Sequence, residues 1–173
     1  MIRHTITPAV ILGGLCVMAF TAALLARAPQ TATAQQETTV PHHATGTFEV
    51  KVTPQQPEPA LADTGIARLL LDKKFHGDLE ATSQGQMLAF GGPQKGSGGY
   101  VAIERVSGTL AGRTGAFALQ HSGTMQPAGT HLTITVIPDS GTDGLQGIAG
   151  SMNIIIEAGK HSYTFDYTLP APR

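Results

Sequence analysis

The sequence is short of several things that protein chemistry commonly draws on. Its 173 residues include one cysteine and no tryptophan, with 5% aromatic and 13% charged residues, the last about half the ~25% usual in soluble domains. Cys16 lies in an N-terminal apolar run, so loss of that run leaves neither a disulfide nor a thiolate, and the remainder must be held by its core alone. Lysine and arginine number 11 against 12 aspartate and glutamate. With no basic field to hold a phosphate backbone, nucleic acid is excluded as the expected partner. Dinucleotide fingerprints, haem-attachment cysteine pairs and zinc spacings are missing, so no cofactor and no metal is expected. No Gly-x-Ser-x-Gly turn is present, which disfavours one common hydrolase arrangement.

What is present begins with an address. Arg3 precedes Thr5 to Ala26, a stretch without formal charge whose apolar centre is Val10–Leu12 and Leu15–Phe20. This reads as an export signal, with Ala32-Thr33-Ala34 as the peptidase site and Gln35 as the new first residue. Ala26-Arg27-Ala28 has the same pattern but is followed by Pro29, and Leu15 before Cys16 is too large for a lipoprotein signal. The uncharged run is close to the ~20 residues that span a bilayer, so an uncleaved anchor helix is the alternative. Residues 1–34 are therefore expected to be a signal peptide or membrane anchor, and the protein periplasmic or secreted, or else held at the inner membrane by this segment alone. The cleaved chain carries 9 basic and 12 acidic residues, a net charge of −3.

Residues 35–45 are polar, contain Pro41 and lack periodicity, which suggests a flexible linker, with His42 and His43 solvated rather than metal-bound. From Gly46 to Arg173 the chain changes. Nineteen of the 21 glycines lie here, between short runs of alternating apolar and polar residues, the grammar of an all-β domain. Phe48, Val50 and Val52 mark a first strand that Pro54, Pro57 and Pro59 stop. Further strands are expected at Ile66–Phe75, Leu79–Phe90, Gly99–Thr109, Gly115–Thr124, His131–Ile137, Met152–Glu157 and His161–Leu169. About eight strands with short turns suit an antiparallel β-barrel, because closure leaves no unpaired edge; a two-sheet sandwich is the alternative. An eight-stranded barrel is just wide enough to be filled by side chains or to hold one small ligand.

One hairpin can be read residue by residue. A tip at Gly112-Arg113 sets Val106 opposite Leu119, Glu104 opposite His121, Ala102 opposite Gly123 and Tyr100 opposite Met125, all on one face. The reverse face carries Ser107, Arg105, Gln120 and Ser122, so the first face is the interior one. Glu104 and His121 then form a candidate acid–base pair, in which a carboxylate orients an imidazole. The plainer reading is an ion pair that fixes register, whose desolvation offsets its attraction. Tyr100, Val106, Phe117, Leu119 and Met125 become candidate ligand-lining residues. Asp78 and Glu80 flank a turn and read as a solvated rim. Gly91 to Gly99 places Ser97 where a phosphate loop has lysine and reads as a mobile hairpin loop instead. Asp139 to Gly144 lacks the acidic alternation of a calcium loop.

The runs Phe75-His76-Gly77-Asp78-Leu79-Glu80, Gly99 to Gly108 and Gly112 to His121 resemble a bacterial family of uncharacterised exported or cytoplasmic proteins, a domain of unknown function. The resemblance covers about Gly46 to Leu169 and includes Ser140-Gly141-Thr142 through Gly150. It implies a small barrel of the allene oxide cyclase type, and so favours the barrel over the sandwich. Relatives in that wider group enclose hydrophobic substrates, but no cyclase motif matches here residue by residue. Three functions follow as expectations: an exported barrel binding a small apolar or amphipathic ligand; a cyclase- or isomerase-type enzyme using Glu104 and His121; or a solid barrel acting through its outer surface. The number of subunits is left open.

Overall fold

The computed structural model describes residues 39–171. Alternation of apolar and polar residues places every second side chain inward along eight strands: β1 (Thr39–Pro54), β2 (Ile66–Gly77), β3 (Leu79–Gly91), β4 (Gly98–Leu110), β5 (Arg113–Gln126), β6 (Gly129–Val136), β7 (Ala149–Glu157) and β8 (Lys160–Pro170). Each strand pairs antiparallel with the next, and β8 pairs with β1 from Thr39↔Pro170 to Phe48↔His161, closing the barrel. Closure satisfies both edges, so a single sheet forms instead of two stacked layers. The seam is thinnest at β6–β7, where Thr135↔Ser151 is the ladder pair. Among the described residues no helix is long and apolar enough to cross a membrane. The expected signal or anchor helix lies outside the described residues.

The two ends of the barrel differ. At the end with the β2–β3 and β4–β5 hairpins, Leu79, Leu110, Phe117 and Phe165 are fully buried, and the Phe117 and Phe165 rings stack with centroids 5.7 Å apart. The Tyr163 hydroxyl accepts the Leu79 N–H at 3.0 Å and donates to the His76 carbonyl at 3.4 Å. β6 is shorter than β5, and the segment after it covers the remainder of β5. Ser140 Oγ accepts the Ala118 N–H and Thr142 Oγ1 that of Ala116, while Leu145 and Ile148 are buried beneath. The segment that lacks the acidic alternation of a calcium loop is thus a plug whose hydroxyls stand in for a strand partner. At the opposite end the inward residues Leu69, Met87, Tyr100, Met125, Leu132 and Ile154 are half-buried, and Val52 and Ile156 are exposed.

Two expectations require correction. The β4–β5 tip is Ala111-Gly112, not Gly112-Arg113: both take the left-handed conformation, φ 49° and 78°, which a two-residue type I′ turn demands of its central pair. The register moves by two, giving Val106↔Phe117, Glu104↔Leu119, Ala102↔His121 and Tyr100↔Gly123. A shift of two preserves the inward face, since side chains alternate with period two. Second, β1 begins at Thr39 inside the segment read as a linker. Backbone pairing with β8 does not need a hydrophobic pattern, and here the His42 ring stacks on Tyr167 at 5.1 Å and His43 Nδ1 lies 2.6 Å from Asp166 Oδ1. The Gly91 to Gly99 segment is the β3–β4 hairpin connection, as expected, with Gly92 N–H donating to the Ser97 carbonyl at 2.8 Å.

Candidate functional site

Midway along the lumen, four adjacent strands each send one polar side chain inward. Lys73 comes from β2, Ser83 from β3, Glu104 from β4 and His121 from β5, and all four are buried. Lys73 and Ser83 are direct cross-strand partners; Glu104 and His121 are diagonal ones, two positions out of register, still within reach of long side chains. Glu104 is the hub. Its Oε1 accepts from Lys73 Nζ at 2.8 Å and from His121 Nε2 at 2.9 Å, and its Oε2 accepts from Ser83 Oγ at 2.7 Å. The Lys73 ammonium also lies 5.3 Å from the centre of the Phe48 ring and 5.9 Å from that of Phe75, favourable placements for a desolvated cation.

Burial of the Glu104 carboxylate opposes its ionisation, but the His121 hydrogen bond and the Lys73 charge outweigh this and hold its pKa at about 2, below the ordinary 4.5. The folded state therefore binds this proton less readily than the unfolded chain. The stability so contributed is fully present above pH ~4.5 and is lost as pH falls through about 2, on the order of 3 kcal/mol in all. Urea midpoints of the wild type and Glu104→Gln, compared from neutral pH to pH 2, are expected to converge as pH falls. A gap that stays constant would contradict the assignment.

The next inward positions of β3, β4 and β5 above this layer are the small residues Gly85, Ala102 and Gly123. Gly123 is one because the Tyr100 ring lies across it: a Cβ there would stand 2.4 Å from Tyr100 Cε1. Burial, and then the Glu104 charge, raise the Tyr100 pKa, so the group facing the open end is a neutral phenol. An open groove of about 440 Å³ on the outer wall is lined by Lys51, Leu70, Asp72, Gln84 and Gln86, and by none of the four buried polar groups.

Of the candidate site residues, the structure brings Glu104 and His121 together and seats Tyr100 and Met125 at the half-buried open end. Val106, Phe117 and Leu119 go elsewhere: all three are fully buried within the packed core and line no open space. Asp78 and Glu80 are exposed, as a rim would be, and hold the turn: Asp78 Oδ2 accepts the Thr45 N–H at 2.7 Å and Glu80 Oε1 that of Gly77 at 2.9 Å.

Comparison with known proteins gives a family. The model of a protein of unknown function, DUF3224, matches residues 44–167. The chain belongs to DUF3224. A crystal structure of a DUF3224-family protein of unknown function from Shewanella oneidensis is 45% identical, with a TM-score of 0.69; the match covers 77% of this chain and all of that one. No curated protein matches.

Lys73 and Ser83 of this DUF3224 barrel are not among the residues expected from sequence. The signal for Lys73 is parity. Leu69, Leu71 and Phe75 set the inward phase of β2, and Lys73 falls in the same phase, a charge on the buried face. Ser83 falls likewise between Ala81 and Gly85 on β3.

Proposed function

We propose that this DUF3224 protein is an exported barrel that takes a small apolar or amphipathic molecule into its open end. The apolar body lies against Leu69, Met87, Met125 and Leu132, and the polar end reaches toward Tyr100 and His121. The observation carrying this reading is an ionised carboxylate, fully buried at mid-lumen, under a collar of half-buried apolar side chains. A barrel evolved only for stability could hold an apolar layer in place of the whole network at little cost, since such replacements of buried ion networks are often neutral or stabilising. Binding is favoured over turnover because the nearby Ser83 hydroxyl hydrogen-bonds Glu104 Oε2 and is not paired with His121, so no nucleophile–base pair is assembled. Export rests on the N-terminal address in the sequence.

A second reading, action through the outer wall, is supported by an apolar patch near the open end. Ile66, Leu88, Phe90, Val101 and Ile103 of β2–β4 are each 42–57% exposed, with uncharged Gln84, Gln86, Gln120 and Ser122 beside them. Arg68, opposite Leu88, is the charge within it, and a mostly apolar surface suits a second copy of the same chain.

Native mass spectrometry of protein taken from the exported fraction tests these readings together. A chain beginning at Gln35 and carrying a small-molecule adduct that denaturation releases is expected for the binder, with Met87→Trp, which fills the mouth, abolishing the adduct. Adduct-free dimers would instead support the outer wall. An adduct-free monomer that also fails to bind naphthalene would overturn both, and a chain retaining residue 1 would overturn cleavage.

A further inference from the structure

His121 offers the lumen one chemical function that the hydrogen-bond network does not use. Glu104 is ionised and can only accept, so the bond of 2.9 Å between Oε1 and His121 Nε2 requires the hydrogen on Nε2. In the neutral ring Nδ1 is then a bare lone pair. It has no hydrogen-bond partner among the described residues, although the His121 side chain is only 3% exposed. No sealed side-chain nitrogen or oxygen there is left unpaired. Nδ1 therefore keeps some accessible surface, and does so one inward position along β5 from Gly123, the partner of Tyr100.

The charges around it select what comes next. Lys73 and Glu104 already balance one against one, 2.8 Å apart. A carboxylate entering this layer would meet the Nδ1 lone pair and the Glu104 charge, and would surrender its hydration to do so. An ammonium would bring a second cation beside Lys73. A neutral hydroxyl meets neither obstacle, donates to Nδ1, and has an oxygen left to accept from one of the spare Lys73 N–H groups or from the Tyr100 phenol.

Building on the ligand-binding reading, we propose that the ligand class is an apolar molecule bearing a single neutral hydroxyl, an alcohol or phenol, which donates to His121 Nδ1. His121 is then the residue that sets specificity, and Glu104 the positioning residue that fixes its tautomer.

The test uses three probes of one apolar body: naphthalene, 1-naphthol and 1-naphthoate, titrated near neutral pH. The chain has no tryptophan, so probe fluorescence is unobstructed by indole emission. Expected is binding of naphthol at least 10-fold tighter than naphthalene and 100-fold tighter than naphthoate, with a displaced ¹⁵N resonance of His121 Nδ1 in histidine-labelled protein. His121→Phe should bring naphthol to the affinity of naphthalene. Equal affinities with an unmoved Nδ1 resonance, or naphthoate binding best, overturn the hydroxyl assignment and leave the barrel as a binder. Failure of all three probes to bind removes the ligand reading itself.

Discussion

Glu104→Leu is expected to lower unfolding stability by about 3–5 kcal/mol, the usual cost of stripping one partner from a buried ion pair. Leucine is close in volume, so the loss is electrostatic and not a cavity. Three donors lose their acceptor at once: the Lys73 ammonium, the His121 Nε2–H and the Ser83 hydroxyl. The cation is the serious one, because Lys73 comes from mid-strand β2 and is 5% exposed. Combining Glu104→Leu with Lys73→Met removes the stranded charge and should recover at least half of the lost stability. Urea denaturation of the two single variants and the double variant forms the necessary cycle. A double variant no more stable than Glu104→Leu would show that the Lys73 charge is not what makes the single change costly.

Phe117→Ala should cost about 3–5 kcal/mol, the range for truncating a large core aromatic. Its ring is fully buried and stacks on Phe165, which in turn stacks on Tyr167 at 5.1 Å, so its stacking partner is itself held and has little room to collapse into the void. Met125→Ala at the other end should cost less than about 1.5 kcal/mol, because the methionine is half-buried and leaves no sealed cavity. The contrast tests the division of the barrel into a packed end and an accessible one. Similar losses for both variants, measured by thermal or urea unfolding, would mean that the lumen is solid throughout and would weigh against any internal ligand.

The same division accounts for the fate of the five candidate lining residues. Sequence parity told inward from outward but carried no information on depth along the barrel axis. Val106, Phe117 and Leu119 share a face with Tyr100 and Met125, yet the first three belong to the packed core together with Leu145, Ile148 and the aromatic residues of β8, while the last two lie half-buried at the mouth. Depth is set by which strands surround a position, a relation between residues far apart in the chain. Lys73 illustrates the same point from the other side. Its phase on β2 was legible, but its partner lies 31 positions away and is reached only across β3.

Local chemistry determined a good deal without help. Glycine and proline punctuation set the number of strands and most of their limits to within a residue or two, the starts of β1 and β7 excepted, and alternation set which face of each turned inward, because both depend on a few neighbouring dihedrals and on the two-residue repeat of an extended chain. Closure, by contrast, was decided by tertiary structure. The pairing of β8 with β1 joins Thr39 to Pro170 across the whole described chain, and it recruited residues with no strand pattern of their own because backbone hydrogen bonding is indifferent to side chains. The four-residue polar layer belongs to the same category: it exists only once four strands are in register, since one carboxylate can serve three donors only when the sheet curls to bring them to a common point.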